Sequence, residues 1–125
     1  MVIGIGLDLV ETGRVERALA RFGARFVGKL MDPEEAAALP QTPRERVRAL
    51  AFAVAGKEAA SKALGTGWSQ GVRWRDVVVT VEPQPSVRLR GRAAAVARAL
   101  GSSGRGRVRL SVQGELTVGE FWLLT

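Results

Sequence analysis

The chain has 125 residues and a formal net charge of +7, from 19 lysines and arginines against 12 aspartates and glutamates. This length suits one domain, residues 1–125, with a single hydrophobic core. Because cysteine and histidine are absent, disulfides, thiol nucleophiles, zinc sites and imidazole bases are excluded. Catalysis would depend on carboxylates, lysines, hydroxyls or a hard metal ion.

Residues 2–10 predict a β-strand, because apolar side chains alternate with Gly4, Gly6 and Asp8. One face of this strand therefore carries almost no side chains before the carboxylate. Glycines at these positions would let another backbone or a ligand come close. No basic segment precedes the strand, and no apolar stretch reaches the roughly 20 residues of a membrane span. We expect a cytoplasmic protein that does not bind membranes.

Three helices are predicted next. Apolar residues recur at three- and four-residue steps over 15–30, which predicts one amphipathic helix. A short helix is predicted over 32–39, where an Asp-Pro pair is typical of an N-cap and a first-turn proline. A longer, mostly buried helix is predicted over 42–64, followed by the glycine-flanked turn 65–67.

The C-terminal half reads mainly as strands. The predicted elements are strands over 72–81 and 87–89, a helix over 91–100, and strands over 108–112 and 116–123. A proline-rich turn over 83–85 separates the first two of these strands and predicts a hairpin. The predicted fold class is α+β, with helices packed on a largely antiparallel sheet.

The long predicted helix becomes polar along one stripe. At 3.6 residues per turn, the apolar stripe that contains Leu50 and Val54 continues through Glu58, Ser61 and Lys62. A buried charge without a partner costs several kcal/mol or neutralises. One interpretation is an ordinary salt bridge between Glu58 and Lys62, whose i,i+4 spacing is worth roughly 0.2–0.5 kcal/mol.

A second interpretation brings in Asp8. One Asp and one Glu, in a chain without Cys or His, form a site for a hard cation that completes its shell with water and phosphate oxygens. This description fits Mg²⁺ holding a pyrophosphate. Lys57 and Lys62 would add positive charge, and the amides of turn 65–67 would approach a phosphate. The residues alone leave both interpretations open.

Two segments resemble the bacterial holo-acyl-carrier-protein synthases, and the similarity extends over essentially the whole chain. They are GIGLDLVE at 4–11 and GKEAASKALGTG at 56–67. Two distant motifs in the correct order are far more specific than either alone. The resemblance implies a phosphopantetheinyl transferase fold and a homotrimer with active sites between subunits. It also implies transfer of phosphopantetheine from coenzyme A to a serine of an acyl carrier protein, in support of fatty acid biosynthesis.

The same resemblance implies roles for individual residues. Asp8 and Glu58 would hold Mg²⁺ and, together with Lys62, would form the catalytic group. The serine hydroxyl would attack the β-phosphorus of coenzyme A and expel adenosine bisphosphate, with Lys62 and the metal neutralising charge on the phosphate oxygens. Glu58 and a metal-bound water are the two candidates for the proton acceptor. The predicted coenzyme-binding residues are Lys57, Ser61, Lys62, Gly65, Thr66 and Gly67.

Several positions depart from the family pattern. Ala53 replaces an arginine expected near the nucleotide phosphates, and Pro83 and Gln84 replace the Gly and Lys of a Gly-Lys-Pro turn. The late Ser-His or Ala-Asp pair appears here as Ser111-Val112. We therefore expect these changes to affect coenzyme affinity more than the reaction. Three alternating arginines would either replace the missing charge or form a solvated strand face: Arg105, Arg107 and Arg109.

The excess positive charge also predicts an acidic protein partner. Four arginines lie opposite the apolar stripe of the first predicted helix and form one basic face: Arg14, Arg17, Arg21 and Arg25. We expect this face to dock the acidic helix of the carrier protein. Two alternatives remain open. One is a basic nucleic-acid-binding module, and the other is a protein that has the family's fold but no longer catalyses the reaction. Because no aromatic stacking strand accompanies the charge, we favour a chain with no nucleic-acid partner.

Overall fold

The computed structural model describes all 125 residues as an α+β fold, which confirms the predicted class. The strands are β1 (Val2–Glu11), β2 (Val77–Thr80), β3 (Ser86–Leu89), β4 (Gly106–Gln113) and β5 (Leu116–Leu124). The α-helices are α1 (Thr12–Phe22), α2 (Ala24–Leu30), α3 (Pro33–Ala37), α4 (Pro43–Ala63) and α5 (Gly91–Ala99). None of these helices combines the length and the apolar content that crossing a membrane would take.

All strand pairings are antiparallel, but they form two sheets. A three-stranded sheet has the order β1-β5-β4, and β2 pairs with β3 as a separate hairpin. The predicted hairpin is thus confirmed. In the larger sheet, Asp8 lies opposite Gly119, and Leu7 lies opposite Glu120. This register places Asp8 on the face that α4 covers.

Helix α4 lies directly on the bare face of β1. A Cβ atom on Gly4 or Gly6 would overlap the main-chain oxygens of Ala63 and Ala59, respectively. The prediction that these glycines permit close approach of another backbone is confirmed. The small residues of the facing side of α4, Ala55 among them, are buried. Helix and strand are therefore close enough for a long side chain near the end of α4 to reach Asp8.

The prediction of a single helix over 15–30 was wrong, because this segment forms two helices. Gly23 has φ of 53° and ψ of −126°, which ends α1 and precedes α2. This left-handed φ is one that glycine adopts without a steric penalty. The apolar stripe is accordingly interrupted: Phe22 is 48% exposed, whereas Val27 and Leu30 are buried.

The strand predicted over 72–81 is also shorter than expected. Only β2 pairs with a neighbour, and a 3₁₀ turn over Trp74–Asp76 precedes it. The buried carboxylate of Asp76 accepts a hydrogen bond from the main-chain nitrogen of Arg73 at 3.0 Å, which stabilises this turn. The β-branched Val72 is buried in the core without belonging to a strand. Burial, and not strand pairing, explains why a β-branched residue stands at the start of the predicted strand.

The core has two clusters of buried side chains. One contains Phe121 and Leu123 from β5, and the other contains Leu50 from α4. Trp68 packs against the first cluster and Trp74 against the second. Their rings stack with centroids 4.0 Å apart, so the aromatic pair connects the two clusters.

On the outer face of the larger sheet, the side chains of β1 are apolar and uncovered in the isolated chain. Ile5, Leu7 and Leu9 are 64%, 53% and 58% exposed. Their neighbours across the strands include Trp122 and Glu120. Three large apolar side chains in a row on one strand form an exposed patch of the kind that marks an interface.

Candidate functional site

The ion pair between Asp8 and Lys62 lies at the centre of the candidate site. Asp8 comes from the glycine face of β1, and Lys62 comes from the last turn of α4. The Lys62 Nζ atom donates to Asp8 Oδ1 at 2.7 Å and to the Leu7 carbonyl oxygen at 3.1 Å. The Asp8 side chain is only 14% exposed, while that of Lys62 is 50% exposed. A solvent-accessible ammonium is thus held beside a largely buried carboxylate.

The simple salt bridge between Glu58 and Lys62 is not formed. Lys62 pairs with Asp8 instead, and the partly buried Glu58 carboxylate makes no ion pair or hydrogen bond in the structure. Glu58 precedes Lys62 by about one turn of α4, so both side chains leave the helix on the same side. A partly buried carboxylate without a counter-charge favours binding of a cation.

Asp8 and Glu58 fit the donor chemistry of a hard divalent ion. Both offer carboxylate oxygens, which Mg²⁺ prefers, and Mg²⁺ is usually bound by one or two carboxylates together with water and substrate phosphates. The structure has no cluster of three acidic or histidine side chains that would enclose a metal fully. The protein would therefore supply only part of the coordination and leave positions open.

Lys57 does not face this site, which corrects its predicted position beside the coenzyme. Its side chain is fully buried, and its Nζ atom donates to Glu35 Oε1 at 3.1 Å and to the main-chain oxygens of Trp74 and Val77. These three acceptors use all three ammonium protons. Burial lowers the pKa of Lys57 and raises the pKa of Glu35, and the attraction between the two opposes both shifts.

The remaining predicted coenzyme residues lie at the end of α4, but most of their donors are already used. The buried Ser61 Oγ atom donates to the Glu58 carbonyl oxygen at 2.8 Å. The amides of Gly65 and Gly67 donate to the carbonyl oxygens of Lys62 and Ser61. The Thr66 hydroxyl donates to the Gly67 carbonyl oxygen at 2.8 Å. Of this group, Lys62 has the most accessible charge for a phosphate.

A cavity of about 880 Å³ lies between α3, α4 and the β2–β3 hairpin. Ala53, where the family pattern has an arginine, lines it. Arg48 and Arg88 are the basic residues of its wall, which also contains Asp32, Glu34, Glu35, Glu45 and Glu82. Sequence reasoning missed Glu35 as part of this wall, because its partner Lys57 lies on another helix.

The predicted docking arginines are all exposed. None of them forms an ion pair, and the Arg21 guanidinium lies 5.2 Å from the centroid of the Phe22 ring. The break at Gly23 places Arg14, Arg17 and Arg21 on α1 and Arg25 on α2. The basic surface therefore extends over two helices instead of one continuous helical face.

Comparison with known proteins identifies the family. The family described as the 4'-phosphopantetheinyl transferase superfamily matches residues 4–112. The chain belongs to this superfamily. The holo-[acyl-carrier-protein] synthase of Alkalilimnicola ehrlichii is 43% identical over 119 residues, which cover 94% of this chain and 91% of the relative. That of Halorhodospira halophila is 49% identical over 108 residues, covering 82% of each chain.

Solved structures of the superfamily share the fold. The crystal structure of holo-[acyl-carrier-protein] synthase from Neisseria meningitidis superposes with a TM-score of 0.84 at 29% identity and covers 100% of both chains. The Helicobacter pylori protein, solved in complex with coenzyme A, has a TM-score of 0.78 at 21% identity and covers 95% of this chain and 98% of its own. With relatives of this identity, the chain is a phosphopantetheinyl transferase of the holo-[acyl-carrier-protein] synthase type, as the two motifs predicted.

Proposed function

We propose that this transferase moves the phosphopantetheine group of coenzyme A to a serine hydroxyl of an apo acyl carrier protein, in the cytoplasm and in support of fatty acid biosynthesis. The observation that carries the proposal is the accessible Lys62 ammonium, paired with Asp8, beside the unpartnered carboxylate of Glu58. Relatives solved with coenzyme A support the donor. The name of the curated relatives supports the acceptor.

Asp8 and Glu58 are the residues that would hold Mg²⁺. When bound, this ion supplies positive charge that polarises the pyrophosphate of coenzyme A. Lys62 is half exposed and donates two hydrogen bonds, so its ammonium can turn from Asp8 towards a phosphate oxygen that gains charge during transfer. The serine oxygen bonds to the β-phosphorus as the pyrophosphate bond breaks, so adenosine 3',5'-bisphosphate leaves, and the serine proton goes to the Glu58 carboxylate or to a water.

The carrier protein would bind through the arginines of α1 and α2. Their side chains are exposed and lack acidic partners within the chain, so their charge is available to an acidic helix. Complementary charges of this kind mainly accelerate encounter and select the partner. A nucleic acid would use the same charge, but the family assignment favours the carrier protein.

The proposed assembly is a homotrimer that covers the outer face of the larger sheet. Ile5, Leu7 and Leu9 expose more than half of their surface in the isolated chain, which a monomer in water rarely tolerates in one contiguous patch. Closed rings of identical subunits bury such faces without leaving a free edge. Active sites between subunits would follow, with coenzyme A contacting two copies.

The proposed activity is tested by incubating the chain with coenzyme A, Mg²⁺ and an apo carrier protein and then weighing the carrier by mass spectrometry. Addition of one phosphopantetheine per carrier is expected. A carrier whose target serine is replaced by alanine is the matched control and should keep its mass. An unmodified wild-type carrier, with the transferase folded by circular dichroism, would contradict the proposal.

A further inference from the structure

Several arginines have an acceptor within the chain. Arg75 donates to the Gly28 carbonyl oxygen at 3.0 Å, and Arg90 pairs with Asp32 at 2.7 Å. Arg92 donates to the Gln70 carbonyl oxygen at 2.9 Å. Part of the excess positive charge is therefore structural, because these guanidiniums connect loops and helix ends.

Three other arginines have no such acceptor, and they line one cleft. Arg88 comes from β3, Arg98 from α5 and Arg105 from the loop before β4, and none of their guanidiniums forms a hydrogen bond or ion pair. The cleft measures about 410 Å³, and no acidic residue lines it. Three exposed arginines thus line a space whose wall contains no counter-charge.

This arrangement favours a phosphate-bearing ligand. Guanidiniums bind phosphate with paired hydrogen bonds, and several of them together select a group that carries more than one negative charge. Val87, Leu89 and Ala94 form an apolar part of the same wall. A cleft of this volume and mixed lining falls in the size range of small-molecule sites, and it is larger than one phosphate group needs.

We propose that this cleft binds the phosphate group of a nucleotide-sized phosphate ester, at a site that does not include Asp8, Glu58 or Lys62. Arg88 also lines the 880 Å³ cavity next to Ala53, so the two spaces meet at this side chain. Two sources supply the same chemistry. The phosphate is either the nucleotide end of a coenzyme that lies in the larger cavity, or a separate phosphate ester that occupies the cleft alone.

The test measures binding of pyrophosphate and of adenosine 3',5'-bisphosphate by isothermal titration calorimetry at low ionic strength, with no turnover required. The double variant R98Q/R105Q should weaken binding of both probes about tenfold or more, because two charge-assisted contacts are lost. The double variant K29Q/R44Q is the matched control, since it removes the same charge from exposed positions of α2 and α4 that line neither cavity, and it should bind as wild type does. Amide shifts of the wild type on titration should concentrate at residues 103–106.

Equal weakening in both double variants would show that only net charge attracts the probes, and absence of binding to the wild type would also overturn the proposal. Coenzyme A distinguishes the two sources: R98Q/R105Q weakens its binding if the cleft holds the nucleotide end and leaves it unchanged if the cleft is separate. Since the probes report binding directly, failure of phosphopantetheine transfer would not affect this result. Circular dichroism of both variants verifies that they are folded.

Discussion

Lys57 and Glu35 form a buried ion pair, with Nζ and Oε2 3.1 Å apart and side-chain exposures of 0% and 6%. Glu35 Oε2 also accepts a hydrogen bond from the main-chain nitrogen of Val79 at 3.2 Å. The pair therefore joins α3, α4 and β2. Because Glu35 and Val79 both line the 880 Å³ cavity, this interior contact fixes one wall of the cavity relative to α4, the helix that carries Glu58 and Lys62.

Replacing Lys57 by methionine should destabilise the fold strongly. The change leaves the Glu35 carboxylate and two main-chain oxygens without their donor, and breaking a buried pair from one side costs about 3–5 kcal/mol. Urea unfolding measures the loss. Lys29 is an exposed lysine at the end of α2, so K29M is the matched control and should stay within about 0.5 kcal/mol of wild type. Equal stabilities of K57M and K29M would refute the structural role of the pair.

Asp32 should make the fold sensitive to acid. The main-chain amide of Glu35 donates to its carboxylate at 2.7 Å, and this bond, followed by the charge of Arg90, lowers the pKa of Asp32 below its ordinary value of 3.8. A lowered pKa stabilises the fold above the ordinary value, and that contribution is lost as the pH falls through the pKa of the folded state.

The corresponding measurement compares melting temperatures at about pH 5 and about pH 3. Asp32→Asn should lower the melting temperature at the higher pH. On acidification, the melting temperature of this variant should fall by less than that of wild type. Glu34→Gln, on the exposed neighbour, should follow the wild-type profile. If acidification lowers the melting temperature of wild type and D32N by the same amount, Asp32 is excluded as a source of the acid sensitivity.

Glu58→Gln should abolish transfer and leave folding intact. The substitution preserves shape but removes the charge that would hold Mg²⁺, and the native carboxylate makes no hydrogen bond whose loss would destabilise the chain. The measurement is the transfer rate as a function of Mg²⁺ concentration, with Glu115→Gln as an exposed control. A wild-type rate for E58Q at limiting Mg²⁺ would remove the metal assignment.

Reversing Arg14 and Arg21 to glutamate should impair use of the carrier protein alone. Both side chains are exposed, so each change should alter stability by less than about 0.5 kcal/mol. We expect kcat/KM for the carrier to fall on the order of tenfold at low salt, with a smaller defect at physiological salt because the charges are screened. The constants for coenzyme A should hardly change. Equal losses for both substrates, or a matching loss in Arg44→Glu, would contradict carrier docking at α1.

Leu7→Lys should prevent assembly of the trimer. A lysine in the middle of this exposed apolar row would be buried when copies associate, and its cross-strand neighbour Glu120 already pairs with Arg109. Size-exclusion chromatography with light scattering should show a trimer for wild type and a monomer for L7K. Phe22→Lys changes an equally exposed apolar residue on α1 and should leave the assembly unchanged. A monomeric wild type would overturn the proposed interface.

Local patterns predicted the elements well, but they did not predict where one helix breaks. Gly23 and Gly56 both interrupt an apolar helical period as single glycines, yet α4 continues through Gly56 while α1 ends at Gly23. At Gly56 an added Cβ would crowd Val79 from β2, so packing against the hairpin accounts for the glycine there. Such contacts come from distant parts of the chain, and a periodicity does not contain them.

The candidate site could be predicted only in part, because some of its contacts also come from distant parts of the chain. Asp8 and Lys62 were both expected at the site, since each belongs to a motif with a specific spacing. Lys57 lies five positions before Lys62, but its side chain points into the core because Glu35, on a short helix 22 residues earlier, provides its counter-charge. Nothing in the sequence around Lys57 indicates that partner.

The contact between α4 and the bare face of β1 makes assembly of the site inseparable from folding. The separation of Asp8 and Lys62 is set by helix atoms resting on Gly4 and Gly6, where no side chain intervenes. Heating should therefore break the ion pair and disrupt the core packing in one cooperative transition. A partly unfolded form that retains activity should not be populated.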